Sequence, residues 1–128
     1  MLSLYMPQSP GEWLALLSAL ITLVFGLTCL FAPRFAMRML RMNAAQDMPQ
    51  AVSGIRTTMA GFHIGVPLAA VVLDQYFVWL AFGAGWAFSA VGRLVSLVFD
   101  RGATRFNAIA FVIEAALAAG PLMTGLGL

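Results

Sequence analysis

The stretch EWLALLSALITLVFGLTCLFA, residues 12–32, decides the fold class. It has no charged residue after Glu12, and about 20 apolar residues suffice for a helix to cross the ~30 Å hydrocarbon core of a bilayer. Because backbone groups in lipid must form their hydrogen bonds within the segment, such a stretch is helical. Three further stretches have the same character, at about 55–73, 77–99 and 106–126.

The composition supports this interpretation of all four stretches. The 128 residues are 62% hydrophobic and 9% charged, whereas about a quarter of the residues in a soluble domain are charged. We therefore predict an all-α polytopic membrane protein. It forms one domain over residues 1–128, a bundle of four transmembrane helices with a short interfacial amphipathic helix after the first span.

Arginines set the predicted orientation. They occur in the connections at 33–54 and 100–105, where Arg101 and Arg105 belong to the second connection, and are missing from both termini. The positive-inside rule places these two loops in the cytoplasm and both termini on the outer side.

The first of these loops contains the predicted interfacial helix, at about 33–43. Arg34, Arg38 and Arg41 are spaced i, i+4, i+7, and an apolar stripe of Phe35, Met39 and Met42 follows one position later. Pro33 suits the first turn and Asn43 the end of such a helix. A helix of this kind lies in the head-group layer and contacts anionic lipid or a partner. The alternative is a topology signal with no further role.

Ionisable residues occur inside three of the predicted spans: Arg56 and His63 in the second, Arg93 in the third and Glu114 in the fourth. At about 1.5 Å per residue, His63, Arg93 and Glu114 lie roughly 9–12 Å from the cytoplasmic ends of their spans. We therefore predict one buried polar layer in the cytoplasmic half, with Asp100 close to it. Two arginines against one glutamate favour an anionic ligand. Alternatives are an ion pair that locks helices, and proton transfer between His63 and Glu114.

Two prolines and two rows of small residues complete the pattern inside the spans. Pro67 frees the carbonyl of His63, and Pro121 frees that of Leu117, because proline has no N–H. The small residues, which allow close helix packing, are Gly61 and Gly65 in the second span and Gly85, Ser89 and Gly92 in the third. We expect these rows to pack within the chain; the alternative is contact with another protomer.

The stretches IRTTMAGFHIGVPLA (55–69), GRLVSLVFD (92–100) and FVIEAALA (111–118) resemble a family of short four-span bacterial membrane proteins known only as a domain of unknown function. Its members show an arginine before Gly-Gly-x-(His or Glu)-x-Gly, then Gly-Arg with an Asp, then a lone Glu. The residues here that match are Arg56, Gly61, His63, Gly65, Gly92, Arg93, Asp100 and Glu114. Ala60 stands in place of the first glycine. The resemblance implies a four-helix inner-membrane fold. It does not indicate an activity, because none is assigned to the family.

No cofactor or metal site is predicted. The chain has one histidine and one cysteine, whereas zinc needs three or four ligands and haem an axial ligand set. No basic run suits nucleic acid. The predicted function is a binding or transport module for an anionic, lipid-like or quinone-like molecule. Alternatives are an accessory subunit of a larger membrane complex or a homo-oligomer, and a small membrane enzyme, which the sequence favours less.

Overall fold

The computed structural model describes residues 5–44 and 48–128. Residues 1–4 of the predicted outer tail and 45–47 of the predicted cytoplasmic loop lie outside the described residues. The described chain is helical, with no strand. Its helices are α1 (Pro10–Phe31), α2 (Pro33–Met39), α3 (Gln50–Leu73), α4 (Tyr76–Phe99) and α5 (Arg105–Gly125).

The predicted all-helical membrane fold is confirmed: four of these helices, all except α2, are long and apolar enough to cross a membrane. Three of them begin and end within two residues of the predicted spans. The exception is α3, which begins at Gln50 rather than near residue 55, directly after Pro49. A proline is tolerated at a helix start because the N–H that it lacks would have no partner there. The helix therefore begins directly after Pro49 and includes residues before the apolar stretch at 55–73.

The short helix α2 ends earlier than predicted. Its last helical residue is Met39, and Arg41 takes a left-handed conformation with φ 57°. The N–H of Met42 then donates to the carbonyl of Met37 at 2.8 Å, which closes the helix end. The prediction that Asn43 ends this helix is therefore wrong, because Arg41 takes the left-handed position that glycine or asparagine usually fills.

The described residues form two compact units. The middle unit is Ala19–Ala69, and the terminal unit combines residues 5–18 with Ala70–Leu128. Five side chains form the core of the middle unit: Cys29, Ala36, Met37, Ile55 and Ala60. Helix α2 thus buries one side against residues of α1 and α3, and Cys29 acts there as a small apolar side chain.

Close helix packing in the terminal unit depends on glycines of α4 and α5. A Cβ on Gly83 would lie 2.8 Å from the Leu122 nitrogen, and one on Gly125 would lie 2.6 Å from the Leu80 nitrogen. A Cβ on Gly120 would lie 2.5 Å from the Ala15 nitrogen in α1. Only glycine permits these backbone approaches, so α5 packs closely against both α4 and the first part of α1.

The rows of small residues predicted to pack, in α3 and α4, make no close contact inside their own units. Gly61 and Gly65 are exposed, as are Gly85 and Gly92. Within its own unit, nothing lies within 4 Å of a Cβ built on any of them. The exposed hydroxyl of Ser89 donates to the carbonyl of Gly85 in its own helix at 3.0 Å. These rows therefore form exposed helix surface within their units.

An aromatic cluster lies beside the turn between α3 and α4. The Trp79 side chain is fully buried, and its indole N–H donates to Asp74 Oδ1 at 2.9 Å. The Tyr5 ring packs on Trp79 with 5.4 Å between centroids. Burial, followed by the negative charges of Glu12 and Asp74, raises the pKa of the Tyr5 phenol to about 12. Tyr5, which precedes α1, is thus packed against Trp79 beside the α3–α4 turn.

Candidate functional site

Arg93 of α4 and Glu114 of α5 form an ion pair inside the terminal unit. The guanidinium donates from Nε at 3.2 Å and from Nη2 at 2.5 Å, and both bonds go to Glu114 Oε1. Glu114 is 8% exposed, and the Arg93 side chain is 27% exposed. Because each charge neutralises the other, this pair contributes nothing to the predicted surplus of positive charge.

Asn107 connects the ion pair to the turn between α4 and α5. Its side-chain oxygen accepts from Arg93 Nη1 at 3.1 Å, while its Nδ2 donates to the Gly102 carbonyl at 2.9 Å. Its backbone N–H donates to Thr104 Oγ1 at 3.1 Å, which caps α5. A Cβ on Gly102 would lie 2.6 Å from the Ser96 carbonyl oxygen. The turn and the ion pair are therefore one hydrogen-bonded network.

The second carboxylate oxygen of Glu114 differs from the first. Oε2 is buried and has no hydrogen-bond partner among the described residues. Buried polar atoms are nearly always hydrogen-bonded, since leaving one without a partner costs about 1–3 kcal/mol. The network therefore offers one acceptor oxygen that a donor from outside these residues can satisfy.

Asp100 does not belong to this network, and the prediction that it lies beside the polar layer is wrong. It is exposed, and it forms no ion pair with any described residue. The helix α4 ends at Phe99, and Asp100 leaves it with φ −108°. The seven-residue spacing that aligned Asp100 with Arg93 therefore fails at the helix end.

The carbonyl that Pro121 frees has a partner. Ser18 of α1 donates its hydroxyl to the Leu117 carbonyl oxygen at 2.6 Å, and both residues are buried in the terminal unit. Prolines in membrane helices are tolerated where neighbouring helices or Ser and Thr side chains satisfy the freed backbone groups. Ser18 thus couples α1 to the interrupted part of α5.

His63 lies in the middle unit, after a π-helical turn over Ile55–Met59. Its Nδ1–H donates to the Met59 carbonyl at 2.7 Å, four residues earlier in the same helix. The imidazole also contacts the Phe25 ring of α1 edge to face, with 5.1 Å between centroids. These contacts hold the ring against α1.

The carbonyl of His63, which Pro67 frees, lies against Gly26 of α1. A Cβ on Gly26 would lie 2.8 Å from the His63 carbonyl carbon and 2.9 Å from its oxygen. In glycine an α-hydrogen takes that place, and Cα–H to carbonyl contacts are weak hydrogen bonds common where helices approach closely. Gly26 therefore allows α1 to reach the backbone of α3 at the proline.

Arg56 is exposed and belongs to the π-helical turn, which contacts α2. The π turn changes the helical period between positions 56 and 63, so Arg56 and His63 are not aligned as a regular α-helix would align them. Among the described residues Arg56 has no ion pair. The structure thus joins Arg93 with Glu114, while Arg56 and His63 belong to the middle unit; one layer containing all four stays a prediction.

Sequence reasoning missed four residues that carry these contacts: Ser18, Gly26, Asn107 and Gly120. Only Ser18 had a usable signal, since the carbonyl freed by Pro121 had already been identified and a buried serine is a natural donor to it. Asn107 lies at the start of a predicted span, where a polar residue gives no particular signal. Nothing in the pattern separates Gly26 and Gly120 from the exposed glycines.

The chain matches no protein-family model, no curated protein and no solved structure. The resemblance to the four-span family therefore stays a prediction. In the part of the chain that the structure describes, no three His, Cys, Asp or Glu side chains are grouped as metal ligands.

Proposed function

We propose that the chain is a small multi-pass protein of the bacterial inner membrane that binds a lipid-like or other small amphiphilic molecule beside Arg93 and Glu114. The observation that carries the proposal is Glu114 Oε2, a buried acceptor without a partner, next to a guanidinium that is partly exposed. The arginines of the loops at 33–54 and 100–105 favour a cytoplasmic position for both, with the termini in the periplasm.

The ion pair constrains the chemistry of the ligand. Because Arg93 and Glu114 form a neutral pair, a bare anion gains little there, and it would also face the Glu114 carboxylate. Oε2 needs a donor, and Arg93 retains N–H groups beyond the three that bind Glu114 and Asn107. The head group that fits carries both a donor and an acceptor, as in a protonated fatty acid, a hydroxylated lipid or a quinol.

Mass spectrometry of molecules that copurify in mild detergent tests this proposal. We expect a small amphiphile to copurify with the unmodified protein and to be lost from Glu114→Gln. The neutral amide of glutamine cannot pair with Arg93 as strongly as the carboxylate does. Arg105→Gln removes an exposed charge and should retain the molecule. Retention in Glu114→Gln at unchanged thermal stability, or no bound molecule in any sample, would contradict a ligand at this site.

A second candidate is an accessory subunit of a larger membrane complex or a homo-oligomer. The exposed glycine faces of α3 and α4 favour it, since their residues find no partner in their own units. Native gel electrophoresis of solubilised host membranes tests it: Gly61→Leu with Gly65→Leu should release the chain from a larger species. Migration as a monomer without these changes would exclude it. Proton transfer between His63 and Glu114 stays a sequence-based prediction.

A further inference from the structure

Helix α2 has a buried side and an exposed side of different chemistry. Pro33, Ala36 and Met37 are buried, and the last two belong to the core of the middle unit. The exposed side combines cationic and apolar side chains: Arg34, Phe35, Arg38 and Met39. Phe35 is 50% and Met39 51% exposed, and Met42 beyond the helix is 44% exposed. Large apolar side chains between arginines suit the boundary between lipid head groups and acyl chains.

The length of α1 places α2 at that boundary. Its 22 residues span about 33 Å at 1.5 Å per residue, slightly more than the ~30 Å hydrocarbon core. Only Ala32 separates Phe31, its last residue, from the start of α2 at Pro33. A chain that has just crossed the bilayer therefore enters α2 at the level of the head groups.

The arginines of α2 have no counter-charge among the residues that the structure describes. No acidic residue occurs in the sequence between Glu12 and Asp47. No described carboxylate lies within 4 Å of Arg34 or Arg38. The Arg38 guanidinium carbon lies 5.8 Å from the centroid of the Phe35 ring, a cation–π distance that holds the side chain along the helix. No described residue thus neutralises either charge, and an external anion can bind them.

Arg56 adds a third exposed charge to the same unit. The π-helical turn that carries it contacts α2, and Arg56 has no ion pair among the described residues. The sequence assigned Arg56 to the buried layer, but its exposure beside α2 suits the membrane surface better.

We propose that Arg34, Arg38 and Arg56 bind the phosphates of anionic phospholipids, while Phe35, Met39 and Met42 enter the acyl boundary. The guanidinium fork matches phosphate oxygens and can donate two bonds to one phosphate. The apolar side chains select a lipid over a free anion, because inorganic phosphate cannot cover them. This surface belongs to the middle unit, whereas Arg93 and Glu114 belong to the terminal unit.

Native mass spectrometry of the purified protein tests the proposal, with phosphatidylglycerol and phosphatidylcholine of equal chain length as probes. In the double variant Arg34→Gln/Arg38→Gln we expect the affinity for phosphatidylglycerol to fall about 25-fold, since each arginine near an anionic surface is worth about fivefold. Phosphatidylcholine binding should not change. The matched control, Arg101→Gln/Arg105→Gln, removes two exposed charges from the α4–α5 turn and should change the affinity less than twofold.

Three results would overturn the proposal. An equal loss in both double variants would indicate net charge alone, and no loss in either would leave these arginines as topology signals. Displacement of phosphatidylglycerol by millimolar inorganic phosphate would indicate an anion site that does not select lipid. Arg56→Gln alone should weaken binding about fivefold, and Glu114→Gln should not weaken it, which separates failure here from failure of the proposed function.

Discussion

The two units hold their polar groups in different ways. In the terminal unit two polar contacts join different helices: Arg93 binds Glu114, and Ser18 donates to the Leu117 carbonyl. In the middle unit the Thr57 hydroxyl and the His63 ring donate to carbonyls four residues earlier in their own helix, at 2.6 and 2.7 Å. Bonds between helices restrain helix packing, whereas bonds inside one helix do not.

This contrast indicates what stabilises each unit. Packing in the middle unit depends on its apolar core and on the approach of Gly26 to the His63 backbone. The terminal unit adds a buried ion pair and a hydrogen bond to a carbonyl that proline has freed. Replacing polar residues that join helices should therefore destabilise the terminal unit more than the middle unit. Replacing the packed glycines should destabilise both units.

The largest effect is expected from breaking the ion pair. Glu114→Leu leaves Arg93 without its partner, and removing one member of a buried pair costs about 3–5 kcal/mol. Because the Arg93 side chain is 27% exposed, water can reach part of the charge, so we expect the lower end, about 3 kcal/mol. Unfolding in mixed micelles of denaturing and mild detergent measures the free energy.

Two variants control this measurement. Arg93→Met/Glu114→Leu removes both charges and should recover most of the loss, since a buried pair adds little net stability over apolar residues. Arg56→Gln removes an exposed arginine that has no ion pair with any described residue, and it should change the free energy by less than about 0.5 kcal/mol. An equal cost for Arg56→Gln and Glu114→Leu would abolish the contrast between the units.

The next effect concerns glycines and should appear in both units. Gly120→Ala places a Cβ 2.5 Å from the Ala15 nitrogen, and Gly26→Ala places one 2.8 Å from the His63 carbonyl carbon. Backbone atoms cannot move aside as a flexible side chain can. We therefore expect each substitution to lower the free energy of unfolding by about 2 kcal/mol. Thermal denaturation in detergent checks both variants.

The matched controls are the exposed glycines Gly61 and Gly85. Alanine there meets nothing in its own unit and removes the entropic cost of a helical glycine, so stability should stay equal or rise by up to about 1 kcal/mol. If Gly61→Ala destabilised the protein as much as Gly26→Ala, the distinction between packed and exposed glycines would fail.

The four-helix membrane fold could be predicted from the sequence because the length of an apolar stretch is a local property. Each span is visible in about 20 consecutive residues, and the structure differs only where a polar helix end extends it, as at Gln50, or where a residue such as Arg41 turns left-handed. The pairing of Arg93 with Glu114 was also accessible, because equal depth in consecutive spans brings the two residues together.

The direction in which a side chain faces was harder to predict than its depth along the span. A glycine row has the same spacing whether it packs or is exposed, so Gly61 and Gly65 could not be distinguished from Gly26. A helical wheel assumes one period, and the π turn at Ile55–Met59 changes that period between Arg56 and His63. Asp100 was misassigned for a related reason, since its spacing from Arg93 extends past the end of α4.

A smaller effect is expected at the hydrogen bond from Ser18 to the Leu117 carbonyl. Ser18→Ala leaves that carbonyl without this donor, and we expect a loss of about 1 kcal/mol, since hydrogen bonds between membrane helices average about 0.6 and reach about 1.7 kcal/mol. In the background of Pro121→Ala the N–H at position 121 can serve Leu117 instead. The cost of Ser18→Ala should then shrink, and a double-mutant cycle measures the difference.

The smallest effect tests whether contacts of the terminal unit extend to residues before α1. Burial against Trp79, with the charges of Glu12 and Asp74, raises the pKa of the Tyr5 phenol from 10.0 to about 12. The folded protein therefore retains this proton where the unfolded chain loses it. The stabilisation is complete below about pH 10 and is lost as the pH rises towards 12.

Phenolate absorbance during alkaline titration measures this ionisation. The chain has two tyrosines, so subtracting the titration of Tyr5→Phe isolates Tyr5. Asp74→Asn should lower the Tyr5 pKa slightly, because one of the two negative charges is removed while burial, the larger cause, remains. A Tyr5 phenol that titrates near pH 10 would mean that the ring is not packed on Trp79. The packing of the terminal unit would then begin only at α1.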